Sequence, residues 1–154
     1  MKIIEDTRQQ SGKHEIKHKC FEEMNVELIR CKLPFGDYAP VPPVSIDTKA
    51  SIDEIANNIC GTREEHKRFI RECKAAKEAG CDLYILVENN LGIEKLQDVH
   101  RWENPRLVYS PNCVRGARLQ KAMETIQERY GVFFLFCAPE EAAGKIRELI
   151  LSYG

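Results

Sequence analysis

The sequence predicts an α/β domain in which a mixed central β-sheet carries helices on both faces. Short apolar segments of strand length alternate along the chain with longer segments whose apolar residues recur at helical spacing. The 154 residues are 43% hydrophobic and 31% charged, a balance typical of a globular domain. A chain of this length buries roughly two thirds of its unfolded surface, so a core can form without disulfides or a structural metal. We therefore expect one domain over residues 1–154.

Four strands and one helix are predicted in the first part of the chain. The predicted strands cover residues 2–5, 26–33, a segment that starts near Asp37, and 44–49. The apolar positions of the helix are Ile16, Cys20, Phe21 and Met24. The last three strands follow one another closely, so we expect them to form a meander. Proline cannot donate to a central ladder, so we expect a turn or a sheet edge at Pro40, Pro42 and Pro43.

Helices and strands alternate in the rest of the chain. Capping-box pairs predict where two helices begin: Ser51 with Glu54, and Thr62 with Glu65. The second of these helices is expected to end at Gly80. Further strands are predicted over 82–88, 106–109 and 132–136, with a loop or a marginal helix over 89–104. Two more helices carry apolar stripes, from Leu119 to Tyr130 and from Ala142 to Tyr153.

The composition excludes several classes of protein. Lys and Arg total 23 against 24 Asp and Glu, and the net charge of −1 excludes a protein that coats nucleic acid by bulk charge. The apolar runs are far shorter than the ~20 residues of a membrane helix, and the N-terminus reaches Glu5 before a signal peptide could form. We expect no membrane contact and a cytoplasmic location, or a nuclear one in a eukaryote. The seven cysteines include no Cys-x-x-Cys pair, which argues against a disulfide framework or a zinc ribbon.

Four acidic residues and one lysine fall at the ends of predicted strands: Asp6, Asp37, Asp47, Glu88 and Lys49. The period of two in a strand places the side chains of Asp47 and Lys49 on one face, with the carbonyl of Thr48 between them. An antiparallel hairpin can bring Asp37 beside Asp47. Two carboxylates without a fixed countercharge favour a hard cation such as Mg²⁺ or Mn²⁺. The lysine would then orient the attacking water.

This is the Asp, spacer, Asp/Glu-x-Lys pattern of the PD-(D/E)XK nucleases, and longer motifs surround it. These motifs are Ile-Ile-Glu-Asp-Thr-Arg at 3–8, Gly-Asp-Tyr at 36–38, Ile-Asp-Thr-Lys at 46–49 and Ile-Leu-Val-Glu at 85–88. Together they resemble the ERCC4-type nuclease domain, the catalytic module of the XPF and Mus81 group of structure-specific endonucleases. The resemblance covers about residues 2–90 motif by motif, and 106–151 in the order of elements. It implies a restriction-endonuclease-like core.

The resemblance also implies a metal-dependent endonuclease that hydrolyses phosphodiester bonds in branched, flap or fork DNA. It implies five catalytic positions: Asp37, Asp47, Lys49, Asp6 and Glu88. Mg²⁺ or Mn²⁺ would be held by Asp37, Asp47 and the carbonyl of Thr48. Three positions depart from the family pattern: Asp47 in place of Glu, Thr48 in place of Arg, and Gln9 in place of Glu.

Arginines supply the predicted DNA contacts. Two of them follow from the family motifs, Arg8 and Arg63, and four lie in or beside a basic segment, Arg101, Arg106, Arg115 and Arg118. Residues 101–121 hold five basic side chains against one acidic side chain, a local charge of +4. Because the chain reaches Gly154 without the tandem helix-hairpin-helix domain usual in the family, this segment, a second copy or a partner chain is expected to hold the duplex. We expect a homodimer through the stripes of the last two helices.

Three alternatives remain open. The departures at Thr48 and Gln9 fit a catalytically weak or inactive module of the same fold, which would bind nucleic acid or a protein partner. A nuclease that acts on RNA is the second alternative. The third is a zinc site, because His14 and His18 are four residues apart with Cys20 nearby, although no fourth ligand has suitable spacing.

Overall fold

A six-stranded mixed sheet forms the centre of the computed structural model, which describes residues 1–10, 12–39 and 44–153. The strands are β1 (Lys2–Asp6), β2 (Glu27–Cys31), β3 (Tyr38–Ala39), β4 (Val44–Lys49), β5 (Asp82–Glu88) and β6 (Phe133–Cys137). Their spatial order is β2-β1-β3-β4-β5-β6. The short strand β3 runs antiparallel to both of its neighbours, while the other pairs are parallel. This arrangement confirms the predicted α/β class with a mixed sheet.

Helices cover both faces of this sheet. They are α1 (Glu15–Glu23), α2 (Ile52–Cys60), α3 (Arg63–Glu78), α4 (Gly116–Tyr130) and α5 (Ala142–Ser152). One core lies under α1 and α5, where Phe21 and Ile146 pack with Ile46 and Leu86 of the sheet. A second, larger core lies under α2, α3 and α4. Strand alternation therefore divides the side chains of β5 and β6 between two buried faces.

The helix boundaries follow from capping groups that the sequence contains. Thr62 and Glu65 form the predicted capping box at the start of α3. The Ser51 hydroxyl accepts a hydrogen bond from the Glu54 amide at 3.1 Å, but the Glu54 carboxylate accepts from the amide of Ala50 instead of that of Ser51. The predicted box is thus half formed, and α2 begins almost directly after β4.

The predicted meander is wrong. Strand β2 pairs in parallel with β1, from Lys2 opposite Glu27 to Asp6 opposite Cys31, and does not pair with β3. Strand β1, whose Ile3 is fully buried, lies between β2 and β3. The alternating pattern of residues 26–33 predicts a strand but carries no information about its neighbour. The predicted turn at the prolines of residues 40–43 lies outside the described residues.

The segment between β5 and α4 differs from the prediction of a strand over 106–109. It forms two short 3₁₀ turns, Leu96–Arg101 and Pro105–Val108. The Asn104 side chain accepts a hydrogen bond from the Arg106 amide at 3.0 Å, and proline at the first position of the turn has no amide hydrogen to satisfy. Asn followed by Pro therefore starts a turn here.

The apolar stripes of the last two helices pack into the hydrophobic core. Leu119 and Met123 of α4 and Ala142 and Ile146 of α5 are fully buried within the chain. The prediction that these stripes form a dimer interface is wrong, because they already pack on the two faces of the sheet. Among the described residues, no helix combines the length and the apolar character needed to cross a membrane.

Candidate active site

One edge of the sheet gathers the predicted catalytic residues. The carboxyl ends of the parallel strands β1, β4 and β5 meet there, together with the amino end of the antiparallel strand β3. Strand alternation then determines on which face of the sheet each side chain lies. Ile46 and Leu86 point into the core under α1 and α5, so Asp47 and Lys49 face α3 while Glu88 faces α1.

A cavity of about 410 Å³ opens at this edge, beside the start of α2. It is lined by Asp37, Asp47, Thr48 and Lys49 from the hairpin, by Glu54 of α2, and by the segment that follows β1, which contributes Arg8, Lys13 and His14. The structure thus brings together three of the five predicted catalytic residues and the predicted backbone ligand. The cavity is large enough for a hydrated cation and part of a substrate.

Asp37 is held in place by the hairpin itself. Its Oδ2 accepts hydrogen bonds from the amide of Thr48 at 2.5 Å and from the Thr48 hydroxyl at 3.0 Å. In an antiparallel pair the amide and the carbonyl of one residue point to the same side of the strand, so the Thr48 carbonyl also faces the side where Asp37 lies. Threonine at this departure from the family pattern therefore orients a predicted ligand.

Gly36 explains why the Gly-Asp-Tyr motif begins with glycine. Its φ angle is 75°, and a Cβ atom there would lie 2.1 Å from the hydroxyl oxygen of Ser45. The same Gly36 amide donates to the carboxylate of Glu72 on α3 at 2.7 Å. A side chain at this position would therefore displace the strand that carries Asp47.

Asp47 and Lys49 form a buried ion pair. The ammonium lies 2.7 Å from Asp47 Oδ2, and the two side chains are 8% and 11% exposed. The contact has ion-pair distance without hydrogen-bond geometry, so Oδ2 is buried with no hydrogen bond among the described residues. Lys49 also lies 6.0 Å from the centre of the Phe69 ring, which limits its freedom on the α3 side.

Three acidic side chains line the cavity, Asp37, Asp47 and Glu54, together with three basic ones, Arg8, Lys13 and Lys49. Burial raises the pKa of Asp47 well above its usual value despite the opposing effect of Lys49, and the charges of Asp37 and Glu72 raise it further. Burial would lower the pKa of Lys49, but the charges of Asp47 and Glu72 raise it above its usual value. Lys49 therefore remains protonated at neutral pH, and one ammonium is shared by several carboxylates.

These residues fit a hard divalent cation. Asp47 Oδ2 is a buried oxygen without a hydrogen bond, and a cation bound between Asp37 and Asp47 would offset the charge that raises the pKa of Asp47. No group of three or more His, Cys, Asp or Glu side chains within the described residues is arranged to hold a metal. Two carboxylates and a carbonyl suit Mg²⁺ or Mn²⁺, since such ions keep several water ligands.

The structure does not bring the other two predicted catalytic residues into this cavity. Asp6 is buried, and its carboxylate accepts hydrogen bonds from the backbone and the guanidinium of Arg8. Burial would raise the pKa of Asp6, but these hydrogen bonds and the charge of Arg8 lower it. Glu88 lies on the opposite face of the sheet, where it forms a buried ion pair with Lys17 of α1.

The predicted DNA-binding arginines lie in different places. Arg8 is bonded to Asp6 and to the carbonyl of Leu33, and Arg101 lies 3.3 Å from Asp98. Arg63 begins α3 and Arg115 precedes α4, and both are exposed. A second cavity, of about 510 Å³ and lined by no acidic side chain, brings three arginines together: Arg106, Arg118 and Arg129.

Two residues at the edge were missed by sequence reasoning, Lys17 and Glu72, and His14 was considered only as a zinc ligand. Glu72 looks like part of the charged outer face of α3, yet it reaches the Gly36 amide. Lys17 precedes the buried Phe21 by one helical turn, a spacing that places both on the inner face of α1. That spacing could have identified Lys17 as a buried cation in need of a partner.

Both the sequence and the fold match nuclease-domain proteins. A family model described as the ERCC4 domain matches residues 5–149. The chain belongs to the ERCC4 domain family. This confirms the resemblance carried by the Gly-Asp-Tyr and Ile-Asp-Thr-Lys motifs. No curated protein sequence matches the chain.

Two solved structures share the fold of this ERCC4 domain. One is XPF from Aeropyrum pernix, with 22% identity, a TM-score of 0.68, and coverage of 99% of this chain and 65% of that chain. The other is XPF from Aeropyrum pernix in complex with DNA, with 20% identity, a TM-score of 0.70, and coverage of 99% and 64%. The chain thus spans a little under two thirds of these XPF chains, and it has the α/β fold that they share.

Proposed function

We propose that this ERCC4 domain is a metal-dependent endonuclease that hydrolyses phosphodiester bonds in branched, flap or fork DNA. The observation that carries the proposal is the cavity in which Asp37, Asp47 and Lys49 meet and in which Asp47 Oδ2 is buried without a hydrogen bond. A buried carboxylate whose pKa is raised is expected where a cation is a functional component. The family membership and the fold shared with XPF support this class of reaction.

Different residues of the chain would bind the cation and act on the substrate. Asp37, Asp47 and the Thr48 carbonyl would hold Mg²⁺ or Mn²⁺, which when bound supplies Lewis-acid stabilisation of phosphate charge and lowers the pKa of coordinated water. The Thr48 amide and hydroxyl fix one oxygen of Asp37. Lys49, protonated and restrained by Asp47, orients the attacking water and stabilises the charge that develops on the phosphate.

DNA is the substrate that the surface charge favours. Three arginines line the second cavity beside α4: Arg106, Arg118 and Arg129. We expect these arginines and the basic segment 101–121 to contact phosphates. An XPF relative of the same fold has been solved as a complex with DNA, which supports DNA as the ligand. Affinity should fall steeply with added salt, because phosphate contacts release counterions.

We also propose that the protein works as a homodimer or with a partner chain. What supports this is an exposed apolar pair on the basic segment, Val108 and Tyr109, which are 90% and 77% exposed. An interface at this pair would bring two basic segments to one duplex. Light scattering in moderate salt should then show a species of twice the 17.7 kDa chain mass, and a monomer at micromolar concentration would contradict the dimer.

The decisive experiment incubates the protein with flap, fork and junction DNAs, with and without Mg²⁺ or Mn²⁺. Metal-dependent cleavage is expected, and the variant Asp37→Asn with Asp47→Asn is the matched control. Normal DNA binding without cleavage would instead establish the non-catalytic module, and faster cleavage of the corresponding RNAs would establish an RNA nuclease.

A further inference from the structure

His14 borders the candidate active site from the α1 side. It is half-buried, and it lines two adjoining cavities. One is the cavity of Asp37, Asp47 and Lys49, and the other, of about 440 Å³, contains Lys17 and Glu88. His14 thus connects the two faces of the sheet edge.

A chain of buried polar groups ends at His14. Lys17 and Glu88 are each 5% exposed and form an ion pair. The Lys17 ammonium also lies 3.5 Å from His14 Nδ1, a long hydrogen-bond distance. An ammonium group can donate but cannot accept, so Nδ1 must be the acceptor and the imidazole proton must be on Nε2. The order of groups is therefore Glu88, Lys17, His14.

This environment keeps the imidazole neutral. Burial lowers the pKa of His14, and the charge of Lys17 lowers it further, against weaker opposing effects of Asp37 and Glu5. A neutral imidazole with its proton on Nε2 offers one hydrogen-bond donor. Unlike another lysine, it would not compete with a cation for Asp37 and Asp47.

We propose that His14 donates a hydrogen bond from Nε2 to a phosphate oxygen of the DNA strand bound at Asp37 and Asp47, and that Lys17 and Glu88 are its positioning residues. The proposal rests on the proposed function. The carboxylates of Asp37 and Asp47 repel a phosphate, so hydrogen-bond donors beside them are needed to hold a phosphate oxygen. Arg8, Lys13 and Lys49 are charged donors that line the cavity, and His14 adds a donor without adding charge.

A zinc site at His14 does not fit the same contacts. The Nδ1 atom of His14 faces the Lys17 ammonium, and the Nε2 atom of His18 lies 2.5 Å from a carboxylate oxygen of Glu5. The two histidines thus turn to different partners. Within the described part of the chain, no three-ligand cluster includes either of them.

The first test is independent of cleavage. Long-range ¹H–¹⁵N spectra of the full chain should show the proton of His14 on Nε2, whereas His66, whose Nδ1 lies 2.8 Å from the Ile59 carbonyl, should carry its proton on Nδ1. Addition of a short DNA oligonucleotide with Ca²⁺ in place of Mg²⁺ should shift the Nε2–H resonance of His14. A proton on Nδ1 of His14, or no shift at saturating oligonucleotide, would overturn the proposal.

The second test uses variants in the cleavage assay. His14→Leu should lower kcat by about 10- to 100-fold, the loss expected for a hydrogen bond to a charged group, with a smaller change in KM. His14→Gln, whose amide nitrogen can occupy the position of Nε2, should recover most of this loss. Lys19→Leu, at an exposed position of α1, is the control and should cleave as the parent does. Equal rates for His14→Leu and the parent would overturn the proposal.

The two tests separate this proposal from the proposed function. If the parent protein cleaves no DNA under any metal condition, the proposed function fails, and the oligonucleotide titration alone then decides whether His14 contacts phosphate. If the parent cleaves but Glu88→Gln and Lys17→Met leave the tautomer of His14 unchanged, the positioning role assigned to Lys17 and Glu88 is wrong.

Discussion

Carboxylates at one sheet edge have different partners on its two faces. On the α1 face, Glu5 accepts hydrogen bonds from Tyr38 and His18, and Glu88 is paired with Lys17. On the α3 face, Asp47 pairs with Lys49, Asp37 accepts hydrogen bonds from Thr48, and the pKa of Asp47 is raised by burial. Each face has a carboxylate paired with a lysine, but of these carboxylates only Asp47 keeps a buried oxygen with no hydrogen bond among the described residues.

The difference shows which acidic residues are available for a cation. Removal of the basic partner of a buried carboxylate is costly, because the carboxylate is left buried without a countercharge. A buried carboxylate oxygen without a hydrogen bond lowers stability until a ligand compensates it. We therefore expect the α3 face to bind the cation and the α1 face to support it.

Removal of both carboxylates on the α3 face should have the largest effect. Asp37→Asn with Asp47→Asn should abolish metal-dependent cleavage, because the two anionic ligands of the cation are lost together. The fold should remain intact, as measured by circular dichroism, since neither change alters side-chain volume. A double variant that cleaves as fast as the parent would show that the site is elsewhere.

Removal of the basic partner on the α1 face should affect stability strongly. Lys17→Met leaves Glu88 buried without a countercharge and should lower the free energy of unfolding by about 3–5 kcal/mol in urea titrations. The variant that also carries Glu88→Leu should recover most of this loss, and exposed Lys19→Met should be neutral. A loss below about 1 kcal/mol in the single variant would mean that the two faces do not differ in this way.

The cleavage rate of a Lys49 variant tests the role of the α3 face. Lys49→Ala should reduce the cleavage rate by about a hundredfold or more, because the group that orients water and stabilises developing charge is lost. DNA affinity should change little. The exposed Lys74→Ala is the control for a general loss of positive charge. Loss of affinity in place of rate would assign Lys49 to DNA binding.

The smallest effect is expected in the pH dependence of stability without metal. Because the folded-state pKa of Asp47 is raised, folding binds a proton, and its contribution to stability falls as pH rises from about the ordinary value of 3.8 through the raised pKa. The slope is at most about 1.4 kcal/mol per pH unit, and Asp47→Asn should remove it. Mg²⁺ should also flatten it.

In the same experiment, the contribution of Asp6 to stability should change with pH in the opposite direction. Its folded-state pKa is lowered, so its stabilising contribution is present above the ordinary value of 3.8 and is lost as pH falls below that value. Asp6→Asn should therefore change how the free energy of unfolding depends on pH below pH 3.8. Above pH 3.8 the curves of the variant and the parent should be parallel. If Asp47→Asn and Asp6→Asn changed the slope of the unfolding free energy against pH in the same pH range, the separate roles of Asp47 and Asp6 would be contradicted.

Local pattern predicted much of the fold and the centre of the site. The strand over 44–49 and the proximity of Asp37 and Asp47 follow from strand alternation and from a short antiparallel connection. The partner of Glu88 could not be predicted in the same way, because strand parity separates the two faces but does not say which helix covers each. The position of β2 was missed for the same reason, since pairing between distant segments depends on packing.

The spacing of these residues along the chain gives the two faces different roles in folding. Asp37 and Asp47 are ten residues apart, whereas Lys17 and Glu88 are 71 residues apart. Closing the longer loop costs ~1.7 kcal/mol more in chain entropy, by the logarithmic dependence on loop length. The two carboxylates can therefore approach each other as soon as a local hairpin forms, and a divalent cation would favour that hairpin early. We expect the Lys17–Glu88 contact to form late, once α1 packs on the face of a sheet that already contains β5.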